Sequence, residues 1–396
     1  MMMLTPTRRQ SLLLLCGLLM IAATLRVTFT GVAPLLEMIR ASYGLTTAQT
    51  GLLTTLPLLA FAMVSPMVAR IAGRYGMEKS LAGALILMMA GIAIRSLNGA
   101  GWLFTGTALI GCAIATGNVL LPGLIKRDFP GQVAKLTGAY SLTMGMAAAL
   151  GSAFVVPLAV AGPGWRGALL SMMIFPLLAL VIWLTQCRRH VAATLTASGA
   201  LRRPSLWRSA RAWQVTLFLG LNSLVYYVVI GWLPSILISY GFSEAHAGSL
   251  HGLLQLATAS PGLLIPLLLM RVNDHRGIAV LVSALCALSA PGLWLMPGLA
   301  SMWVIMFGVG SGATMILGLT FIGLRSGSAH QAAALSGMAQ SVGYLLAACG
   351  PPVMGKIHDL TGGWGTSLVA VAVLSLAMAI AGGLAARDGE ITPQRD

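Results

Sequence analysis

About twelve apolar runs, each of roughly twenty residues or more, follow one another along this chain, and that pattern limits what it can fold into. They lie at 11–38, 47–72, 80–98, 102–125, 133–161, 167–186, 213–239, 246–270, 277–297, 300–324, 331–356 and 364–386. Between them the 396 residues hold only 24 Lys and Arg and 9 Asp and Glu, or 8% charged. An ordinary soluble domain carries about 25%. Hydrophobic residues make up 57%, and 47 residues are Gly. Such a chain is too apolar for disorder, and a soluble enzyme built from it would have little polar surface to show to water. Lipid is the solvent that suits it, and the expected fold class is an all-α polytopic membrane protein.

The net charge of +15 does not point to nucleic acid. The charges sit in short clusters between apolar runs, with no basic stripe interleaved with aromatics. Placing the N-terminus in the cytoplasm puts 19 Lys and Arg on the inner side and four, Arg40, Arg95, Arg166 and Lys356, on the outer side, with Arg26 left at depth. The positive-inside rule therefore predicts that both termini and the stretch between the sixth and seventh runs are cytoplasmic. Arg8 and Arg9 before the first run resemble a signal peptide. No clean cleavage site follows, so a retained first span is expected. Cys16, Cys112, Cys286 and Cys349 lie inside apolar segments and Cys187 at the end of one, with no CxxC spacing. They predict packing, and neither a metal site nor a cofactor is expected.

The longest polar stretch within the chain separates the sixth and seventh runs. The expected organisation is a six-helix half over 1–186, a cytoplasmic linker over 187–212 and a second half over 213–396. A shift of 199 residues sets the fifth run on the eleventh: Gln132 meets Gln331, Gly138 meets Gly337 and Gly151 meets Gly350. Parallel repeats of this kind are an architecture of major facilitator transporters. The stretches LRVTFTGVAPLL from Leu25, GNVLLPGLIKRDFP from Gly117, NSLVYYVVIGWLP from Asn222, AGSLHGLLQ from Ala247 and ALSGMAQSVGYLLAACGPP from Ala334 carry the comparison further. With them the chain resembles the cyanate-permease type of the major facilitator superfamily, in its nitroimidazole branch. The resemblance covers essentially the whole chain. It implies twelve helices in two halves, with a substrate site between them. One departure is visible: Gly73 stands where the superfamily usually has Asp before Arg74–Tyr75–Gly76, whereas Asp274 to Gly277 keeps the pattern in the second half.

Polar side chains at depth are the candidate substrate ligands. Arg26 lies near the middle of the first run, where an Arg costs at least about 2.5–3.5 kcal/mol unless a cavity or partner receives it. Its planar donor fork suits cyanate, nitro or carboxylate oxygens. Thr30 shares its helical face. Asn222 and Tyr226 are four apart on the seventh run, with Tyr227 about 100° round, and a Tyr ring suits a flat heterocycle. His251 and Gln255 repeat that spacing on the eighth run, and Gln340 and Tyr344 on the eleventh. Asn118 and Tyr140 add polar groups from the fourth and fifth. Each of these also reads as a residue that holds helices together. The nine carboxylates all fall at span ends, loops or tails. Proton coupling would then run through His251 or through the substrate.

The expected function is secondary transport of a small solute by alternating access. The resemblance favours export of a 2-nitroimidazole-like heterocycle, with cyanate or another small anion as the alternative. The expected partners are that solute and the bilayer, not nucleic acid, and the chain is expected to act as a monomer. An intramembrane enzyme would need a nucleophile–base pair or a metal cluster at depth, and no HExxH or Gly-x-Ser-x-Gly occurs in the runs. A transporter-like sensor without flux is the remaining class.

Overall fold

The computed structural model describes residues 8–129, 132–162, 164–186, 206–269, 271–272, 274–326, 329–389 and 391. Most of the expected linker, with Cys187, lies outside them. Nine of the expected spans are single helices: α3 (Thr47–Tyr75), α4 (Met77–Arg95), α5 (Ala100–Asp128), α6 (Val133–Val160), α9 (Ala210–Ser239), α12 (Arg276–Leu295), α13 (Ala300–Leu324), α14 (Ala329–Thr361) and α15 (Gly365–Ala385). The other three are broken. The first is α1 (Arg8–Thr30), a 3-10 turn at Ala33–Leu35 and α2 (Leu36–Tyr43). The sixth is α7 (Gly164–Ser171) with α8 (Ile174–Leu184), and the eighth is α10 (Glu244–Ala259) with α11 (Pro261–Leu269). Pro34, Pro176 and Pro261 stand at these breaks. Proline lacks the N–H that would continue a helix but fits the first turn of the next one.

Ten helical stretches among the described residues are long and apolar enough to cross a membrane. The split α10–α11 and the more polar α14 complete the expected twelve. Large apolar side chains line the outward faces. On α6, Leu142, Met146, Leu150, Phe154 and Leu158 are exposed at four-residue spacing, while Ala148, Ala149 and Ser152 are buried. On α15, Val369, Val373, Leu376 and Ile380 are exposed. Water would not tolerate such stripes, whereas hydrocarbon is their natural contact.

The described helices form two compact units, Met1–Leu35 with Ala60–Thr196, and Leu36–Leu59 with Ala197–Asp396. In the first, α1 packs on α6 and α8, and α4 on α5. Gly91 and Gly106 let the α4 and α5 backbones meet: a Cβ on Gly91 would lie 2.9 Å from the Gly106 carbonyl. Small residues of this kind drive close helix approach in lipid, where apolar burial gives no net gain. In the second unit, α9 packs on α14 and α15, and α13 on α10 and α12.

Prolines inside the helices of the second unit free carbonyls that other helices then satisfy. Pro352 cannot donate to the Ala348 carbonyl, which instead accepts from the Thr55 hydroxyl at 3.0 Å. Pro234 likewise frees the Ile230 carbonyl, and His251 Nε2 takes it at 2.9 Å. Every backbone group left unsatisfied in hydrocarbon costs several kcal/mol, so these side chains are part of the helix framework.

Candidate functional site

In the first unit, α1 carries Arg26 half-buried, one turn before Thr30. The Thr30 hydroxyl donates its hydrogen to the Arg26 carbonyl at 3.0 Å. Thr30 therefore shapes the end of α1 and has no hydrogen to offer a ligand in this arrangement. Asn118 on α5 is exposed, and Tyr140 on α6 is half-buried with its hydroxyl hydrogen-bonded to Ser141.

Arg95 is a residue that sequence reasoning missed. It counts among the outer-side cations, yet it is only 1% exposed. Its Nη1 donates to the Thr28 carbonyl at 3.5 Å, where α1 is about to end. Burial of a guanidinium at a helix C-terminus, whose last carbonyls lack helical partners, is the favourable end for a cation.

In the second unit, α9, α10 and α13 bring a polar cluster together. The Tyr226 hydroxyl donates to Gln255 Oε1 at 3.1 Å, across α9 and α10. The Ser311 hydroxyl on α13 donates to Asn222 Oδ1 at 3.0 Å. Ser311 was not among the expected residues, because nothing in the sequence links it to a position 89 residues away. Tyr226 and Tyr227 stand edge to face, with centroids 5.4 Å apart. Asn222, Tyr226, Tyr227 and Gln255 are all buried. The Gln255 Nε2 amide is enclosed and has no hydrogen-bond partner. His251 is 0% exposed, and its Nε2 meets the Ile230 carbonyl at 2.9 Å. On α14, Gln340 is exposed and bonds Ser336 at 3.0 Å, and Tyr344 is half-buried.

Buried charge lies at helix ends. Among the described residues, the one buried carboxylate is Glu78, in the first turn of α4. It pairs with Arg127 at 2.5 Å, and Arg127 also bonds both oxygens of Asp128 at 2.9 Å. Burial lowers the Arg127 guanidinium, but the hydrogen bonds and charges of Asp128 and Glu78 outweigh it and hold it above its ordinary value. This cluster stands at the start of α4, shortly after Gly73 in the last turn of α3. Arg325 caps the other unit, donating to the Ala385 and Ala386 carbonyls at 3.0 and 2.8 Å. No group of three or more His, Cys, Asp or Glu that could hold a metal occurs among the described residues. The second unit thus holds a buried set of neutral donors and rings on α9, α10 and α13, and the first unit holds a half-buried guanidinium on α1.

The Major Facilitator Superfamily profile matches residues 15–348. The chain belongs to the major facilitator superfamily. It is 69% identical over 383 residues to the 2-nitroimidazole transporter of Escherichia coli (strain K12), covering 97% of this chain and 98% of that one. It is 27% identical to the cyanate transport protein of the same organism, over 89% of this chain and 91% of the other. A solved D-xylose–proton symporter shares the fold, with a TM-score of 0.79 at 14% identity, over 93% of this chain and 96% of that one. The protein is thus a membrane transporter of major facilitator type and not an enzyme.

Proposed function

We propose that this protein moves a 2-nitroimidazole-like heterocycle out of the bacterial cytoplasm by alternating access, as a monomer with both termini inside. Its working parts are a six-helix half over 1–186, a linker over 187–212 and a second half over 213–396. The observation that carries this reading is the 69% identity, along nearly the full chain, to a relative that bears that substrate in its name. The buried ring-and-amide cluster supports it. A flat heterocycle can stack on Tyr226 or Tyr227 while its ring nitrogen or nitro oxygens accept from Gln255 Nε2. Arg26 supplies a fork for the nitro group. Asn222 adds a polar group from α9, and Thr30, Asn118, Tyr140, His251, Gln340 and Tyr344 are the further candidate ligands of this reading.

A second reading, transport of cyanate or another small anion, draws on Arg26 and on the 27%-identical cyanate relative. The experiment that separates the readings is uptake and release of labelled 2-nitroimidazole and cyanate by sealed vesicles of both orientations. Faster nitroimidazole entry into inside-out vesicles supports export. Saturable binding without flux of either solute would support a sensor and overturn the transport reading.

A further inference from the structure

We propose that the first turn of α3 and the last turn of α14 form a latch that acid releases. Asp359 Oδ2 accepts from the Ala48 backbone N–H at 3.2 Å. Thr47 Oγ1 meets His358 Nδ1 at 3.5 Å. α3 has no acidic residue in its own first turn, so Asp359 of α14 supplies the negative charge that a helix N-terminus favours. The His358 ring lies 4.3 Å from the Trp364 ring, and Trp364 packs in turn on Trp232 at 5.0 Å.

Below the latch the two backbones touch. A Cβ on Gly355 would lie 2.9 Å from the Thr47 carbonyl, and one on Gly51 3.0 Å from that of Pro351. Trp232 Nε1 donates to the same Pro351 carbonyl at 2.9 Å. Two turns along α3, Thr55 closes the seam on Ala348. Thr47, Gly51 and Thr55 recur every four residues, so a single face of α3 is pinned to α14. All of these contacts lie within the second unit, whereas α3 ends in the first.

Both titratable groups of the latch act in the same direction. Burial raises the Asp359 carboxyl, but hydrogen bonds from Thr47 and Ala48 and the charge of His358 outweigh it and hold it below its ordinary value. A carboxyl depressed in the closed state gives stability that is present above its open-state value and lost as pH falls. His358 faces Thr47 from α3, Trp364 at the start of α15 and Asp359 on its own helix. Among the described residues, Asp359 is the charged group within ion-pair distance of it, at 3.8 Å. A proton on His358 places positive charge beside the positive end of α3 and draws Asp359 away from Ala48. The outer placement of this seam rests on the orientation proposed above.

The test uses the full chain in right-side-out vesicles, with its five cysteines replaced and a Thr55→Cys reporter. A membrane-impermeant methanethiosulfonate is added outside, between about pH 5.5 and about pH 8. Each labelling rate is divided by that of the His358→Gln protein at the same pH, which cancels the intrinsic reactivity of the thiol. The expected ratio is near one at the alkaline end and rises severalfold in acid. Asp359→Asn should label about tenfold faster at the alkaline end, because the charged cap is gone. A ratio independent of pH, or an Asp359→Asn protein that labels no faster, overturns the latch. His358→Asn serves as the reference if the Gln variant does not insert. An acid response seen only with reagent on the inner face of inside-out vesicles keeps the latch and overturns the orientation.

Discussion

Tyr226 donates its hydroxyl hydrogen to Gln255 Oε1, and that one bond decides which end of the amide remains on offer. The Nε2 end is buried without a partner, a state that costs about 1–3 kcal/mol. A substrate nitrogen or oxygen that reaches it removes that penalty. Tyr226→Phe keeps the ring but releases the amide, so nitroimidazole binding should weaken by about 3–10-fold. Tyr226→Leu also loses the ring and should weaken it by about a further 2–10-fold. Cyanate has no ring to stack, so the two variants should bind it alike; competition binding with both ligands reads this directly, and equal nitroimidazole losses would remove stacking from the account. Arg26→Ala should abolish saturable binding in a protein that still inserts. Arg26→Lys should recover little, since an ammonium lacks the planar fork. Full binding by a well-folded Arg26→Ala protein would sink that role. The sequence exposed the Asn222–Tyr226 spacing, because both lie on one helix. It could not expose Ser311 or the pairing of Tyr226 with Gln255, because those meet only when three helices pack.

Prolines organise the helices as much as hydropathy does. The breaks near residues 31, 172 and 260 were absent from the expected spans, although Pro34, Pro176 and Pro261 were in plain view. Hydropathy averages over about twenty residues and stays high through a turn whose backbone groups find partners inside the protein. The same reasoning recasts His251. As a midspan imidazole it read as a ligand or proton carrier, but its Nε2–H is committed to the carbonyl that Pro234 leaves free. Arg95 was read as an outer-side cation near the end of the span 80–98, and the structure turns it under the end of α1. A double-mutant cycle tests the His251 account by thermal unfolding in detergent. His251→Leu should destabilise the protein by about 1–3 kcal/mol, because it orphans the Ile230 carbonyl. In a Pro234→Ala background residue 234 regains its N–H and can serve that carbonyl, so the loss should shrink by about 1 kcal/mol or more. An equal loss in both backgrounds would mean that the freed carbonyl is not what holds His251.

Across the whole molecule, the apolar runs made the polytopic helical fold legible, because hydropathy is a sum over many residues. Coupling depends on single groups and was less legible. Among the described residues no carboxylate is buried at midspan, and the buried carboxylate Glu78 is paired with Arg127 at a helix end. A concentrative proton coupling needs a group whose protonation changes substrate affinity and which is reached from both sides in turn. His251 is enclosed against a carbonyl, and the His358–Asp359 latch faces one side. A one-sided group can change how fast the transporter cycles, but it cannot move the final distribution of solute. The expected outcome follows for proteoliposomes under an imposed pH gradient. A nitroimidazole methylated at its ring nitrogen, which has no acidic proton to lose, should equilibrate without accumulating. Acid on the latch side should alter its rate, His358→Gln should remove that effect, and His251→Gln should leave it in place. The parent nitroimidazole, which can lose a proton, should distribute according to its own ionisation on the two sides. Accumulation of the methylated compound severalfold above equilibrium would require a proton carrier in the protein that alternates between the two faces, and would overturn this account.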